Sequence, residues 1–236
     1  MKGIFPLIIV LILLACGGFP VNATQYDPPW ADNYQFAYLD GVTTIPCAAN
    51  AASYQSLVSY DGHSFTNSSA NSAYVRMADD AIFSFIGHGD NGALETWNGS
   101  QEGLILAEDL GYYPVGISDY SFISDYQEEL DDELLAVYIS CYSADDSPYV
   151  GNLVTESYQK GVDVVLGFNG IVGVPHAKTW SNYFWLYEGY YEWSVQLSAQ
   201  SAAYNVLAQH DSYNGTNNWT ISGSGGTRIS PARYGE

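Results

Sequence analysis

Two stretches of this chain, Ala81 to Ile86 and Leu134 to Ile139, are apolar almost throughout, with no polar residue at every second position. Such continuous runs predict strands buried on both faces, as in a parallel sheet. Residues 162–168 repeat the pattern, and 103–107 form a shorter version of it. Tyr34 to Leu39 alternates enough for a first strand, with Asp40-Gly41 as the turn after it. Helical composition marks Ala48 to Tyr60, Asn67 to Asp79 (Asn67 or Ser68 as N-cap), Pro148 to Gln159, Ala177 to Tyr187 and Trp193 to His210. The acidic stretch Ser118 to Glu133 reads as helical in part. Asp90-Asn91-Gly92 opens a loop that continues through Asn98, and His63 falls in a Gly-Ser loop facing solvent. Trp219 to Ser222 and Thr227 to Ser230 could close a hairpin around Gly223 to Gly226. Strands alternating with helices predict an α/β fold with a mostly parallel sheet.

The first strong run ends in Gly87-His88-Gly89-Asp90 and the second in Ser140-Cys141-Tyr142. Ligands of open α/β sheets bind beyond the carboxyl ends of the strands, so an imidazole and a thiol delivered there could share one site. A thiolate is the attacking species, and His88 could take the thiol proton and later protonate a leaving amine. Gly89 would let the backbone approach a substrate closely. Asp90 either orients His88 or caps its own turn.

This arrangement resembles the caspase-like cysteine peptidases, which include caspases, legumains, gingipains and CHAT domains. These share a strand ending in His-Gly and a later strand ending in a small residue followed by Cys. Here the pair is His88-Gly89 and Ser140-Cys141, 53 positions apart, close to the caspase separation. Gly103 to Asp109 is similar to the short strand that CHAT and gingipain-like domains carry between the two blocks. Lys160 to Phe168 resembles the helix-Gly-strand after their cysteine. CHAT domains commonly continue Cys-Glu-Thr-Gly, where this chain reads Cys141-Tyr142-Ser143-Ala144.

The resemblance covers roughly residues 35–235 and implies a three-layer α/β/α sandwich. It makes His88 and Cys141 a catalytic dyad, with the Gly89 and Cys141 amides as the oxyanion hole. It places substrate contacts near the cysteine strand and the following strand's loop, at Asp90, Tyr142, Asp145, Phe168 and Asn169. Acidic residues in that pocket (Asp145, Asp146, Asp163) would favour Arg or Lys before the scissile bond. Aromatic ones (Tyr142, Phe168, Trp180) would favour an apolar side chain. The expected activity is a cysteine endopeptidase acting on peptide or protein. The alternatives are a non-catalytic binding module on the same fold and a transpeptidase-like acyl transferase.

Charge and cysteines narrow the setting. With 26 acidic against 6 basic residues the net charge is −20, which repels nucleic acid and anionic lipid. Hydrophobic residues at 47% can fill the core of one domain, residues 24–236. Met1 to Ala23 has Lys2 followed by an apolar run too short to span a bilayer, the pattern of a secretory signal. Val21-Asn22-Ala23 fits release, whereas Leu13-Leu14-Ala15-Cys16 resembles a lipobox that would anchor the protein through Cys16. An extracellular or cell-surface protein is therefore expected, touching membrane only through such an anchor. Without Cys16, Cys47 and Cys141 remain, and a disulfide between them is the main rival to a nucleophilic Cys141. The four histidines lack paired metal-ligand spacing, and no cofactor is expected. The acidic clusters Asp79-Asp80, Asp131-Asp132-Glu133 and Asp145-Asp146 could bind calcium weakly, without an EF-hand pattern.

Overall fold

A computed structural model describes residues 29–36, 46–111, 113–126 and 130–233. The leader expected over residues 1–23, Cys16 included, lies outside the described residues.

The fold is mixed α/β. Its main sheet has β1 (Trp30–Gln35), β2 (Asp61–Thr66), β3 (Ile82–Ile86), β8 (Leu135–Ile139), β9 (Val164–Phe168) and β10 (Trp219–Gly223). The spatial order is β10-β9-β8-β3-β1-β2, parallel except for β10, which runs antiparallel to β9. A second sheet, inserted between β3 and β8, has the order β4 (Gly89–Asp90), β5 (Ala93–Trp97), β6 (Glu102–Leu106), β7 (Asp119–Phe122). Five helices accompany them among the described residues: α1 (Cys47–Ser56), α2 (Ala70–Met77), α3 (Leu153–Gln159), α4 (Val174–Gly189) and α5 (Val195–His210).

The apolar runs are explained by burial on both faces. Along β8, Leu135, Val137 and Ile139 join one core cluster with α1, α4 and α5. Ala136 and Tyr138 join another with α2, α3 and the second sheet. β3 divides in the same way: Ile82 and Ile86 face the first cluster, Phe83 and Phe85 the second. All five residues of each strand are buried. Side chains alternate across a strand, so a strand sandwiched between two apolar layers has no polar position to spare.

Helix starts follow local chemistry. The Ser69 hydroxyl accepts from the Ser72 amide at 3.1 Å to cap α2, just past the expected cap at Asn67 or Ser68, and Asn152 caps α3 through the Thr155 amide at 3.0 Å. Pro175 opens α4, where its missing N–H costs nothing.

Several expectations are corrected. The first strand lies earlier, at Trp30–Gln35, and residues 37–39 lie outside the described residues. His63 sits in a strand, β2, with its Nδ1 2.8 Å from the wholly buried Asp32 carboxylate. The loop expected after Gly92 contains β5. Among its described residues the acidic 118–133 stretch, expected to be helical in part, holds β7 and the 3₁₀ turn Ile123–Asp125 and no α-helix. Trp219 to Gly223 pairs with β9, and no strand forms over 227–230.

Candidate active site

Parallel β3 and β8 are neighbours, and their register pairs Ile86 with Ile139. His88 and Cys141 each lie two residues beyond that pair. The 53-residue separation is thus the register offset of the two strands, and it sets the histidine and the cysteine side by side at the carboxyl edge. Adjacent strands are about 4.8 Å apart. The ladder continues past the strand end, since the Gly87 amide donates to the Ile139 carbonyl at 3.2 Å. The His88 carbonyl accepts from the Glu95 amide at 3.0 Å, which fixes this segment to β5. Both side chains are half-buried and line one narrow cleft, whose apolar wall includes Ile139, Val172 and Ala177.

The chain turns sharply at the cysteine. Tyr142 has φ +58°, a left-handed conformation uncommon for a non-glycine residue and one that persists only where neighbours enforce it. Its amide donates to the Gly170 carbonyl at 2.8 Å. The buried Ser143 hydroxyl donates to the Tyr138 carbonyl at 2.9 Å and accepts from the Phe168 amide at 2.9 Å. Cys141 Sγ is held by the next loop: the Val172 amide donates to it at 3.4 Å, and the Val172 carbonyl lies 3.7 Å away. Among the described residues neither Cys141 nor Cys47 forms a disulfide.

The remaining expected contacts separate by what they touch. The exposed Asp90 accepts from the Asn91 amide at 2.8 Å and caps its own turn. Asp145 accepts from the Gly170 amide at 3.0 Å, so its carboxylate ties the cysteine turn to the loop after β9. Asn169 donates to the Thr220 hydroxyl at 2.7 Å, joining β9 to β10. Phe168 is core: it is 0% exposed and packs edge-on against Trp180, ring centroids 5.0 Å apart. It belongs to the first core cluster and is not among the residues of the cleft wall. Tyr142, with its left-handed backbone, is not on the cleft wall either. None of these five, nor Asp146, Asp163 or Trp180, lines the cleft. Among the described residues no group of three or more His, Cys, Asp or Glu side chains could hold a metal ion.

The sequence reading missed two residues of the cleft, Ser140 as a polar lining group and Lys178 on α4. Lysine one position inside an aromatic-rich helix reads as a solvent-facing residue, and nothing local marks it otherwise. Its burial follows from the close packing of α4 against α1 and the sheet.

Comparison with protein-family models and with curated proteins finds no match to this chain. Among the described residues no helix is long and apolar enough to cross a membrane.

Proposed function

We propose that this chain is a caspase-like cysteine peptidase with His88 and Cys141 as its catalytic dyad, built as a three-layer α/β/α sandwich. One observation carries the reading: register-paired neighbouring strands deliver the imidazole and the thiol to one cleft at the carboxyl edge. The strand between the two blocks, β6, and the His-Gly and Ser-Cys strand ends add the resemblance described above. The expected leader makes the protein an exported one, free or anchored through Cys16.

In the proposed reaction the Cys141 proton passes to His88 and the sulfur attacks the carbonyl carbon of the scissile bond. The resulting oxyanion is met by the Gly89 and Cys141 backbone amides, donors that typically account for about 100–1,000-fold each in turnover. Collapse breaks the C–N bond, His88 protonates the departing amine, and a thioester to Cys141 remains. Water, deprotonated by His88, hydrolyses the thioester and releases the acid. An acyl transferase would share every step up to the thioester and differ in the nucleophile that resolves it.

The test is turnover of a fluorogenic peptide library by the protein beside Cys141→Ala, His88→Ala and the double variant. Each single substitution is expected to remove nearly all activity, with the double variant little worse, because a dyad acts as a unit. Activity surviving Cys141→Ala would overturn the mechanism.

A further inference from the structure

Of the six lysines and arginines in this chain, one is buried in the cleft with no hydrogen-bond partner among the described residues. Lys178 is 5% exposed, lines the same cleft as His88 and Cys141, and its Nζ has no hydrogen-bond partner among the described residues. Other basic side chains are engaged: Lys160 Nζ donates to the Ser124 carbonyl at 2.7 Å, and Arg76 meets Asp32 at 3.1 Å. The buried Ser140 hydroxyl, on the same cleft, also lacks a partner. Buried polar groups are ordinarily satisfied, and a buried unpaired ammonium is among the most costly arrangements a core can hold. The Cys47 thiol, which feels the charge of Lys178, cannot supply a counter-charge at neutral pH, since burial pushes it up to about 11 despite that opposing pull.

We propose that Lys178 is the specificity-determining residue of this cleft, and that it takes a carboxylate of the substrate beside the bond attacked by Cys141. Three features favour a carboxylate. Ammonium Nζ is a donor with no acceptor capacity, and Ser140 offers a second hydroxyl donor on the same wall. The cleft is narrow, which suits a small planar anion over a guanidinium or an aromatic ring. No acidic side chain lines it, so nothing there would hold Arg or Lys. The −20 net charge acts against an anionic ligand only at long range. Surface charges are screened beyond about 8 Å at physiological ionic strength, whereas a buried pair is screened much less. This substrate class rests on the peptidase reading of His88 and Cys141. The carboxylate has two sources, an acidic side chain before the scissile bond or the free C-terminus of a short peptide.

The decisive measurement does not require turnover. The full chain, Lys178→Met, Lys178→Gln and Lys178→Arg would each be alkylated at Cys141 with iodoacetate and with its neutral isostere iodoacetamide, and the ratio of the two rates taken. The ratio should fall on the order of tenfold or more in the Met and Gln variants and be retained in Lys178→Arg, the cost of losing one partner of a buried charged contact. Lys178→Met should unfold at a urea concentration no lower than the parent, because it removes an unpaired buried charge. A structural lysine would give the opposite. In parallel, peptides matched as Asp/Asn and Glu/Gln before the scissile bond, with free or amidated C-termini, identify the source. Preference for the acid over the amide, lost in Lys178→Met, assigns the side chain; preference for the free terminus assigns the C-terminus. An alkylation ratio unchanged in Lys178→Met overturns the proposal, as does equal cleavage of every acid and amide pair. A ratio that falls while no peptide is cleaved supports the carboxylate site and counts against the peptidase reading alone.

Discussion

A Cβ atom on Gly89 would lie 2.7 Å from the Ser140 hydroxyl oxygen, so the side chain of the residue before Cys141 packs directly on the backbone of the residue after His88. The same Cβ would lie 2.7 Å from the Ala93 carbonyl oxygen, which belongs to the β4–β5 pairing and cannot rotate aside. Gly89→Ala is therefore expected to cost about 1–3 kcal/mol of stability, the usual range for overpacking. Urea unfolding would measure it. Ser140→Gly relieves only one of the two clashes, so the double variant should remain less stable than Ser140→Gly alone.

Ser143→Ala removes a buried hydroxyl that accepts from the Phe168 amide and donates to the Tyr138 carbonyl. Stranding a buried donor typically costs about 1–3 kcal/mol. The turn that follows Cys141 should loosen with it, so turnover should fall along with the unfolding midpoint. A change in midpoint with turnover intact would mean that this bond supports the sheet without positioning the sulfur.

Asp145→Ala separates two roles for one carboxylate. Because that group accepts from the Gly170 amide, the substitution should lower the cleavage rate and leave the order of preference among peptides unchanged. A shift of preference away from Arg and Lys substrates would instead put Asp145 at the substrate.

Stability should fall as pH rises from about 5. Burial, then the charges of Asp32 and Glu133, push Asp80 up from 3.8 to about 10 against the opposing pull of Arg76. Burial likewise raises Glu188 from 4.5 to about 8. Between those limits the unfolded chain releases protons that the folded chain keeps, so each group destabilises by up to about 1.4 kcal/mol per pH unit. The Glu188 contribution levels off above about pH 8, and that of Asp80 above about pH 10. Below about pH 3 both states hold the protons and neither group contributes. Asp80→Asn and Glu188→Gln mimic the protonated forms and should flatten the profile, read as urea midpoints from pH 5 to 9.

The central strands were legible because burial on both faces leaves a signature in composition: β3, β8 and β9 read as apolar runs. β2 was not, since Asp61-Gly62-His63-Ser64-Phe65-Thr66 lies at the sheet edge and carries exposed positions. The strand β7 was hidden by its acidic surroundings, although Tyr120 and Phe122 recur at period two and stack with ring centroids 6.5 Å apart. Strand ends gave the positions of His88 and Cys141. The walls of their cleft did not follow, because Phe168 and Lys178 are placed by how α4 packs, a long-range fact with no local pattern. Phe168 read as a pocket residue and proved to be core. Lys178, which was not among the expected site residues, lines the cleft.

Between Ile86 and Ile139 the chain leaves the main sheet, builds four short strands, and returns to the same register. The placement of the histidine beside the cysteine is therefore indifferent to what the excursion contains, provided β3 and β8 still pair and Gly89 still meets Ser140. The segment around the exposed Leu110 and Val115 is where length can change most freely, since its described residues contribute no strand to either sheet. A reporter peptide or a further module grafted there would lengthen the path between the two residues along the chain and leave their separation across the sheet as it is.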